Sequence, residues 1–165
     1  MLKSILDRRS IRSFTDKPVS QEDVRTLLEC AMHAPSARDG RPWRFIVIDE
    51  RATLDALAER HPYAAMLRQA PLCICVCAVE GEIAGYYQQD CAAATMNILI
   101  AAKETGLGTC WMGVAPREER MADVRDVLSI PEDIAPFNLI AVGYPATERA
   151  RPARWDESLI HKNRW

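Results

Sequence analysis

Three arginines and two serines fall within six positions near the amino terminus, in the stretch RRSIRSF at residues 8–14. The cations are Arg8, Arg9 and Arg12. Guanidinium groups present a fixed fork of donors, and the hydroxyl of Ser10 adds another, so this stretch could cradle a phosphate. Alternatively, the arginines are solvated and balanced by Asp7 and Asp16, which is the usual meaning of a surface charge run.

Two other stretches carry further polar and cationic groups. The segment APSARDGRPWRF (34–45) has the proline, glycine, serine and aspartate content of a loop, and loops on a rigid scaffold often bind ligands. The segment RARPAR (149–154) supplies three more arginines near the end of the chain. An ordinary helix-to-strand turn and a solvated tail are the alternatives for these two segments.

A glycine-rich segment, GLGTCWMG (106–113), is a third candidate for ligand contact. Gly106 is predicted to end a helix, while Gly108 and Gly113 would let the backbone approach a flat ligand closely. No helix start follows at the spacing that a dinucleotide-binding fingerprint requires. The segment alone is therefore a weak indication of a ligand.

Side chains for acid–base, nucleophilic or metal chemistry form no recognisable set in the sequence. No metal-ligand spacing relates the three histidines, and no hydrolase, zinc-protease or phosphate-loop motif occurs. The histidines are His33, His61 and His161. Alternating cysteines at positions 73, 75 and 77 are expected to pack on one buried face of a strand rather than bind a metal. Any chemistry is therefore expected to belong to a cofactor.

Hydrophobic periodicity predicts the elements that must position these segments. Helices are predicted at residues 3–8, from Ser20 to a stop at Pro35, at 51–60, at 83–105, and from Pro116 onward. Strands are predicted at residues 44–49, 71–79, 108–114 and 137–143. Ser20 and Asp23 resemble a capping box. Strands interspersed with helices indicate an α/β or α+β sandwich in one domain, residues 1–165.

The predicted helix at residues 83–105 is apolar along two stripes, so two of its sides are expected to be buried. One of those sides could face a second subunit, or the helix could lie at the centre of a monomer. The tail at residues 146–165 has arginines, one proline and two tryptophans but little periodicity. Such a tail can fold only by lying against another surface.

Composition and charge exclude several classes of partner. The 165-residue chain is 48% hydrophobic with a net charge of −2, which gives no general electrostatic case for nucleic acid. Residues 1–14 lack the apolar region of a signal peptide, and the helix at 83–105 is too polar for a membrane span. We expect a cytoplasmic protein with reduced thiols, no membrane or nucleic-acid partner and no metal.

Five segments, taken in order, resemble the nitroreductase family of flavin enzymes: RRSIRSF, APSARDGRPWRF, GLGTCWMGV, LIAVGYP and the closing LIHKNRW. The resemblance runs from about residue 3 to the last residue. It implies an α+β three-layer sandwich with a central, mostly antiparallel sheet flanked by helices. It also implies a homodimer with two FMN sites at the subunit interface, in which the long helix packs against its mate and a domain-swapped tail wraps the partner.

The resemblance implies roles for the arginine-rich segments. Arg8 and Ser10 would contact the FMN phosphate and ribityl chain, with Arg9 beside them. Arg12 matches a basic residue near the pyrimidine edge of the flavin. The tail candidates for closing on the same phosphate are Arg151 and Arg154.

The same resemblance places other residues around the flavin ring. The partner subunit would contribute Pro35, Ser36 and Ala37. Met112 and Gly113 would lie by the ring, with a backbone N–H facing N5. Two further cofactor-site positions depart from the family, which often has Asn and Gln where this chain has Asp39 and Arg41. An ionised aspartate cannot donate, so these two either pair with each other or alter the substrate pocket.

The function implied by the resemblance is a ping-pong oxidoreductase. NADH or NADPH stacks on the flavin, delivers hydride to N5 and leaves, and an acceptor such as a nitroaromatic or a quinone takes its place. Reduction puts negative charge at N1 and O2, which the guanidinium of Arg12 would stabilise. The alternatives are other flavin chemistry, namely ene reduction, reductive dehalogenation or flavin breakdown, and a non-catalytic FMN carrier or sensor.

Overall fold

Helices and strands alternate along the chain in the predicted order. The computed structural model describes residues 2–79, 85–147 and 150–165. The helices are α1 (Leu2–Asp7), α2 (Gln21–Met32), α3 (Arg51–Arg60), α4 (Tyr87–Glu104) and α5 (Glu118–Leu128). The strands are β1 (Trp43–Ile48), β2 (Leu72–Val79), β3 (Gly108–Gly113) and β4 (Ile134–Gly143). Short 3-10 turns lie at Ala37–Asp39, Ala65–Arg68 and Glu157–Leu159.

The four strands form one antiparallel sheet in the order β1-β2-β4-β3. Because β2 is central, both of its faces are buried. Its three cysteines point to a core that includes Leu54 and Leu57 of α3 and Val124 of α5. Alternate residues of β2 point to a second core, built with α2 and α4. The predicted three-layer sandwich, with a sheet between two helical layers, is confirmed.

Helix α2 begins where the sequence predicts it. The Ser20 hydroxyl oxygen accepts a hydrogen bond from the Asp23 N–H at 3.0 Å, and the hydroxyl donates to the Asp23 carboxylate at 2.7 Å. This satisfies a backbone donor that the first turn leaves without a helical partner. Val24, Leu27 and Ala31 then face the core at helical spacing, and the helix ends before Pro35.

Helix α4 is shorter at its start than the sequence predicts. It begins at Tyr87 rather than at residue 83, and residues 83 and 84 lie outside the described part of the chain. Gly85 has a φ of +91°, which a right-handed helix cannot include. The predicted end is confirmed, since Gly106 has a φ of +81° and the Leu107 N–H donates to the Ala102 carbonyl at 2.7 Å.

The prediction that Pro116 begins a helix is wrong. Helix α5 starts two residues later, at Glu118. The Arg117 N–H donates to the Val114 carbonyl at 3.1 Å, which closes a turn that contains the proline. Arg117 itself is extended, with φ −84° and ψ 103°, so it precedes the helix rather than continuing one from Pro116. The last strand also begins earlier than predicted, at Ile134 instead of residue 137.

The tail after β4 is exposed along residues 150–165. Trp155 is 82% exposed and Leu159 75% exposed, although both are large apolar side chains. The start of the tail contacts its own chain, through Ala150 and Arg151, but large apolar side chains left this exposed agree with the expectation that the tail needs another surface. No helix in the described part of the chain has both the length and the apolar character that crossing a bilayer requires.

Replacing Gly108 by alanine should destabilise the fold. A Cβ at this position would lie 2.8 Å from Ile11 Cγ1 and 2.9 Å from Pro145 Cγ, and overpacking of this kind costs about 1–3 kcal/mol. Urea unfolding at a fixed protein concentration measures the change. Gly113→Ala is the matched control, because its Cβ would meet nothing within 4 Å. Equal unfolding midpoints for wild type and Gly108→Ala would contradict the expected clash.

Candidate functional site

The arginine-rich segment is fixed against the ends of β3 and β4 by backbone hydrogen bonds. The Ile11 N–H donates to the Thr109 carbonyl at 2.9 Å, and Ser10 forms a bridge with the same residue of β3. The Ala146 N–H, just after β4, donates to the Ser13 carbonyl at 3.0 Å. Side chains that alternate along this segment are therefore held at defined positions beside the sheet.

A cleft of about 610 Å³ opens beside this segment. Its walls come from the amino-terminal segment, the carboxyl-terminal end of α4, the start of β3 and the chain after β4. Its cations outnumber its acids, because Asp7 is its one carboxylate among the described residues. The cationic side chains that line it are Arg8, Arg9, Lys103 and Arg151. An anion is the ligand that this balance of charge favours.

Two guanidinium nitrogens in this cleft lack a partner. Arg8 Nε and Arg9 Nη2 are buried and have no hydrogen-bond acceptor within the described residues. A buried donor that is left without an acceptor is costly, most of all on a charged group. Phosphate oxygens are acceptors that match the guanidinium fork. These two donors therefore fit a phosphate-bearing ligand.

Arg9 also has a structural task. Its Nη1 donates to the Leu6 carbonyl at 2.9 Å and to the Arg8 carbonyl, and its Nε donates to the Ala150 carbonyl at 3.1 Å. It thus joins the end of α1 to the start of the tail. Desolvation, and then the positive charge of Arg154, lower the pKa of Arg9. This mutual repulsion is a second reason to expect an anion between the arginines.

The alternative of a solvated, acid-balanced segment is met only in part, because the charge of Asp7 raises the pKa of Arg9 against the larger effects of desolvation and Arg154. In the described ranges, neither Asp7 nor Asp16 forms an ion pair with an arginine of RRSIRSF. The Asp7 carboxylate lies instead 4.0 Å from Arg151 Nη1. Arg151 therefore reaches the cleft within a single chain, while Arg154 acts on the cluster through its charge. Arg149, the first arginine of the tail segment, lies outside the described residues.

Arg12 is separate from this cluster. It is exposed, and it does not line the cleft. Its charge acts on Cys110 of β3, where it opposes the larger effect of burial that raises the pKa of that thiol. Arg12 is therefore near enough to Cys110, in the middle of β3, for its charge to act on that thiol.

The end of β3 has the shape that a flat ligand needs. The Thr109 carbonyl points away from β4 and accepts the hydrogen bond from Ile11. Backbone N–H and C=O groups repeat their direction every two residues along a strand, so those of Gly113 also point away from β4. The Gly113 N–H therefore faces the edge of β3, and a Cβ at Gly113 would meet nothing within 4 Å. Met112 beside it is buried. About 17 Å of strand separates Gly113 from the cleft end at Gly108.

Gly108 corrects part of the prediction for this segment. It was expected to allow close approach of a ligand, as Gly113 does. The atoms that approach it are those of Ile11 and Pro145, at distances that leave no room for a Cβ. Glycine at this position serves the packing of the chain, so only Gly113 remains as the predicted approach point.

The loop at residues 36–41 has a strained backbone. Arg38, Asp39 and Arg41 have φ values of 52°, 56° and 45°, in the left-handed region that non-glycine residues rarely adopt. Arg41 Nε and Nη2 each lie 2.7 Å from a carboxylate oxygen of Asp39, so these two residues pair with each other. This hydrogen bonding lowers the pKa of Asp39. An exposed pair contributes little to stability because water screens it, so other contacts must hold the loop.

Those contacts include Asp90, which the sequence reasoning did not single out. Its Oδ1 accepts a hydrogen bond from the Ala37 N–H at 3.0 Å, and the side chain is 6% exposed. Its Oδ2 is buried and has no donor in the described part of the chain. The Ser36 hydroxyl accepts from the Arg41 N–H at 3.0 Å and closes the loop. Asp90 thus joins the loop to the first turn of α4.

The loop and the cleft lie at opposite ends of α4. Asp90 is in its first turn and Lys103 in its last, about 20 Å apart along the helix axis. The structure therefore brings Arg8, Arg9 and Arg151 together in one cleft, with Ser10 beside it. It does not bring Pro35, Ser36 and Ala37 to that cleft within one chain.

Two buried thiols are suppressed as nucleophiles by their surroundings. Burial raises the pKa of Cys73 and of Cys91 to about 12. Those thiols are protonated at neutral pH and are poor nucleophiles. No group of three or more metal-binding side chains converges in residues 2–79, 85–147 and 150–165.

Comparison with known proteins identifies relatives over the whole chain. A family model described as the nitroreductase family matches residues 5–144. A protein of Methanothermobacter thermautotrophicus, provisionally named NADH dehydrogenase/NAD(P)H nitroreductase, is 43% identical over 167 residues. The match covers 100% of this chain and 87% of that relative.

Solved structures give the same result for the fold. A crystal structure from Parabacteroides distasonis, with the same provisional name, matches with a TM-score of 0.97 at 40% identity, over 99% of this chain and 98% of that one. A provisionally named nitroreductase from Desulfovibrio desulfuricans, solved in complex with FMN, matches with a TM-score of 0.85 at 31% identity. That match covers 99% of this chain and 96% of the other.

Replacing Asp90 by alanine should loosen the loop at residues 36–41. The change removes the acceptor of the Ala37 N–H, and a buried donor left without a partner costs about 1–3 kcal/mol. Amide hydrogen exchange across the loop should accelerate by about 5- to 150-fold, which corresponds to that energy. Asp90→Asn keeps an acceptor oxygen and serves as the control. Unchanged exchange in Asp90→Ala would contradict a clamping role for this carboxylate.

Proposed function

This chain belongs to the nitroreductase family, and on that premise we propose a dimeric FMN enzyme that reduces a nitroaromatic, a quinone or a similar activated acceptor. The observation that carries the proposal is a pair of buried donors, Arg8 Nε and Arg9 Nη2, on two arginines that line a cationic cleft; neither nitrogen has an acceptor in the part of the chain that the structure describes. The prediction of an NAD(P)H-dependent flavin oxidoreductase is confirmed at the level of the family. FMN, when bound, supplies hydride transfer between the nicotinamide and the acceptor.

The phosphate end of FMN fits the cleft at the start of β3. Arg8 and Arg9 each offer there an N–H group that can donate to a phosphate oxygen. Ser10 is held next to Thr109, which lines the same cleft. Of the two tail arginines, Arg151 lines the cleft, so we assign it the phosphate contact. Arg154 adds positive charge to the cluster, as its effect on the pKa of Arg9 indicates.

The ring end of FMN fits the other end of β3. FMN is elongated, with its phosphate and its ring at opposite ends, and β3 separates the cationic cleft from the open face of Gly113. Because no side chain projects from Gly113, its N–H can approach N5, while the buried Met112 supports the strand beneath. Arg12, whose charge reaches Cys110 between the two ends, is suited to stabilise negative charge at the pyrimidine edge.

Two subunits are needed to complete this site in the proposal. Pro35, Ser36 and Ala37 lie about 20 Å from the cleft of their own chain along α4, so we assign them to the site of the partner. The tail, exposed over residues 150–165, is proposed to wrap that partner and cover its apolar side chains.

Alternating occupation of one face of the ring by NAD(P)H and by the acceptor gives a ping-pong mechanism. A single domain and a cytoplasmic location remain predictions from the sequence.

Replacing Arg8 by alanine should weaken FMN binding by about 10- to 100-fold. A hydrogen bond to a charged group is worth about 1.5–3 kcal/mol, which corresponds to that range of affinity. Quenching of flavin fluorescence on titration into the apoprotein measures the dissociation constant. Arg68→Ala, at an exposed arginine that does not line the cleft, is the matched control. An unchanged affinity in Arg8→Ala would remove the phosphate assignment.

Replacing Arg12 by alanine should slow reduction by NAD(P)H more than it loosens FMN. A positioned group that stabilises developing charge is worth on the order of 10²-fold in rate, whereas Arg12 does not line the phosphate cleft. Stopped-flow absorbance of the flavin measures the rate. A wild-type rate in the variant would show that this role is wrong.

Wild-type protein that holds FMN but does not oxidise NAD(P)H with an acceptor would be a carrier or sensor.

A further inference from the structure

His61 is a buried histidine to which neither the sequence analysis nor the proposed function assigns a role. It caps the end of α3, its side chain is 2% exposed, and it contacts the carbonyl of Gly113. We propose that His61 is a positioning residue that fixes the carbonyl of Gly113, and through it the backbone torsions of this glycine, in place for the flavin. The role of Gly113 on which this inference rests is that of the proposed function.

Hydrogen bonds at both ring nitrogens fix the protonation state of His61. The Tyr63 N–H lies 3.2 Å from Nδ1, and a backbone N–H can only donate, so Nδ1 must accept. Nε2 lies 3.0 Å from the Gly113 carbonyl oxygen, which can only accept, so Nε2 must carry the proton. The ring is therefore the neutral tautomer with its hydrogen on Nε2, and both nitrogens are used.

A second donor meets the same carbonyl oxygen. Arg120 Nη1, from α5, lies 3.2 Å from the Gly113 oxygen, and its guanidinium carbon lies 5.0 Å above the ring of Tyr63. The carbonyl of Gly113 faces away from β4, so these contacts, rather than the sheet ladder, hold it. His61 and Arg120 approach from the α3 and α5 layer. The N–H of Gly113 belongs to the preceding peptide group, which also carries the Met112 carbonyl, so these contacts act on it through the backbone torsions of a glycine that has no side chain to restrict them.

Protonation of His61 would break this arrangement. A proton on Nδ1 would face the Tyr63 N–H, and a second positive charge would lie near Arg120. Burial is the main cause that lowers the pKa of His61, and the charge of Arg120 acts in the same direction. The Gly113 hydrogen bond and the charge of Asp123 on α5 act the other way.

The charged surroundings of His61 also include an ion pair between its own helix and α5. Arg60 Nη1 lies 3.3 Å from the Asp123 carboxylate, and Arg60 Nη2 lies 3.2 Å from the Asp126 carboxylate.

Since the pKa of His61 is lowered, the support that the neutral ring gives to the Gly113 carbonyl is complete above the ordinary histidine pKa. That support is lost as the pH falls through the lowered value.

Two variants of the holoenzyme separate positioning from packing. His61→Gln keeps a side-chain N–H that can reach the Gly113 carbonyl, but the glutamine amide does not titrate. His61→Leu fills the space with a side chain that has no hydrogen-bond donor. His33→Gln, at an exposed histidine of the α2 end, is the control. The readouts are the FMN dissociation constant, the flavin midpoint potential, and kcat and KM between about pH 5 and pH 8.

We expect His61→Leu to lower kcat by about 10- to 100-fold, since small displacements at a reacting centre cost up to about 10²-fold. The midpoint potential should shift as well, because the N–H that faces N5 moves. His61→Gln should stay within a few-fold of wild type at neutral pH and should lose the acidic decline in kcat that wild type shows. Wild-type kcat and potential in His61→Leu would overturn the proposal, as would an unchanged acidic decline in His61→Gln.

A measurement on the apoprotein tests the contact even if His61→Leu does not fold. Long-range proton–nitrogen NMR should find His61 neutral at pH 7, with its proton on Nε2. The opposite tautomer, or a protonated ring, would overturn the proposed hydrogen bonds and leave FMN binding by wild type intact. Wild-type protein that does not bind FMN would overturn the proposed function, and with it the role given to His61, whichever tautomer is found.

Discussion

Guanidinium groups gathered in one place, with donors left unsatisfied, are the constraint on which this structure depends. Arg8 and Arg9 each bury a nitrogen that no acceptor in the described chain satisfies, and desolvation, followed by the charge of Arg154, lowers the pKa of Arg9. Folding alone does not relieve this cost, because the segment is held rigidly by Thr109 and by the chain after β4. An anionic ligand would satisfy the donors and remove the repulsion together.

Strand β3 gives this anion site its relation to the chemistry. Its first residue lies at the cationic cleft, where the absence of a Cβ admits Ile11 and Pro145. The backbone N–H and carbonyl of its last residue, Gly113, face the strand edge, and His61 and Arg120 donate hydrogen bonds to that carbonyl. A rigid strand therefore fixes the separation between a phosphate contact and a ring contact, which a loop could not do as accurately.

Local signals made much of the fold predictable from the sequence. The Ser20 cap, the Gly106 helix end and the alternating cysteines of β2 depend on neighbours close in sequence, and the structure contains each of them. The arginines of the cleft were noted from their spacing as a possible phosphate cradle, and the family resemblance then favoured that interpretation over a solvated segment. Asp90 and His61 were missed because their partners, Ala37 and Gly113, lie 53 and 52 residues away. No local pattern encodes such contacts.

The most direct test of the account compares FMN with riboflavin, which lacks the phosphate, in titrations of the apoprotein. If the buried donors of Arg8 and Arg9 bind the phosphate, two charge-assisted hydrogen bonds of about 1.5–3 kcal/mol each should make FMN bind at least about 100-fold more tightly. The preference should shrink in Arg8→Ala and persist in Arg68→Ala. Equal affinities of the wild-type protein for FMN and riboflavin would contradict a phosphate site in the arginine cleft.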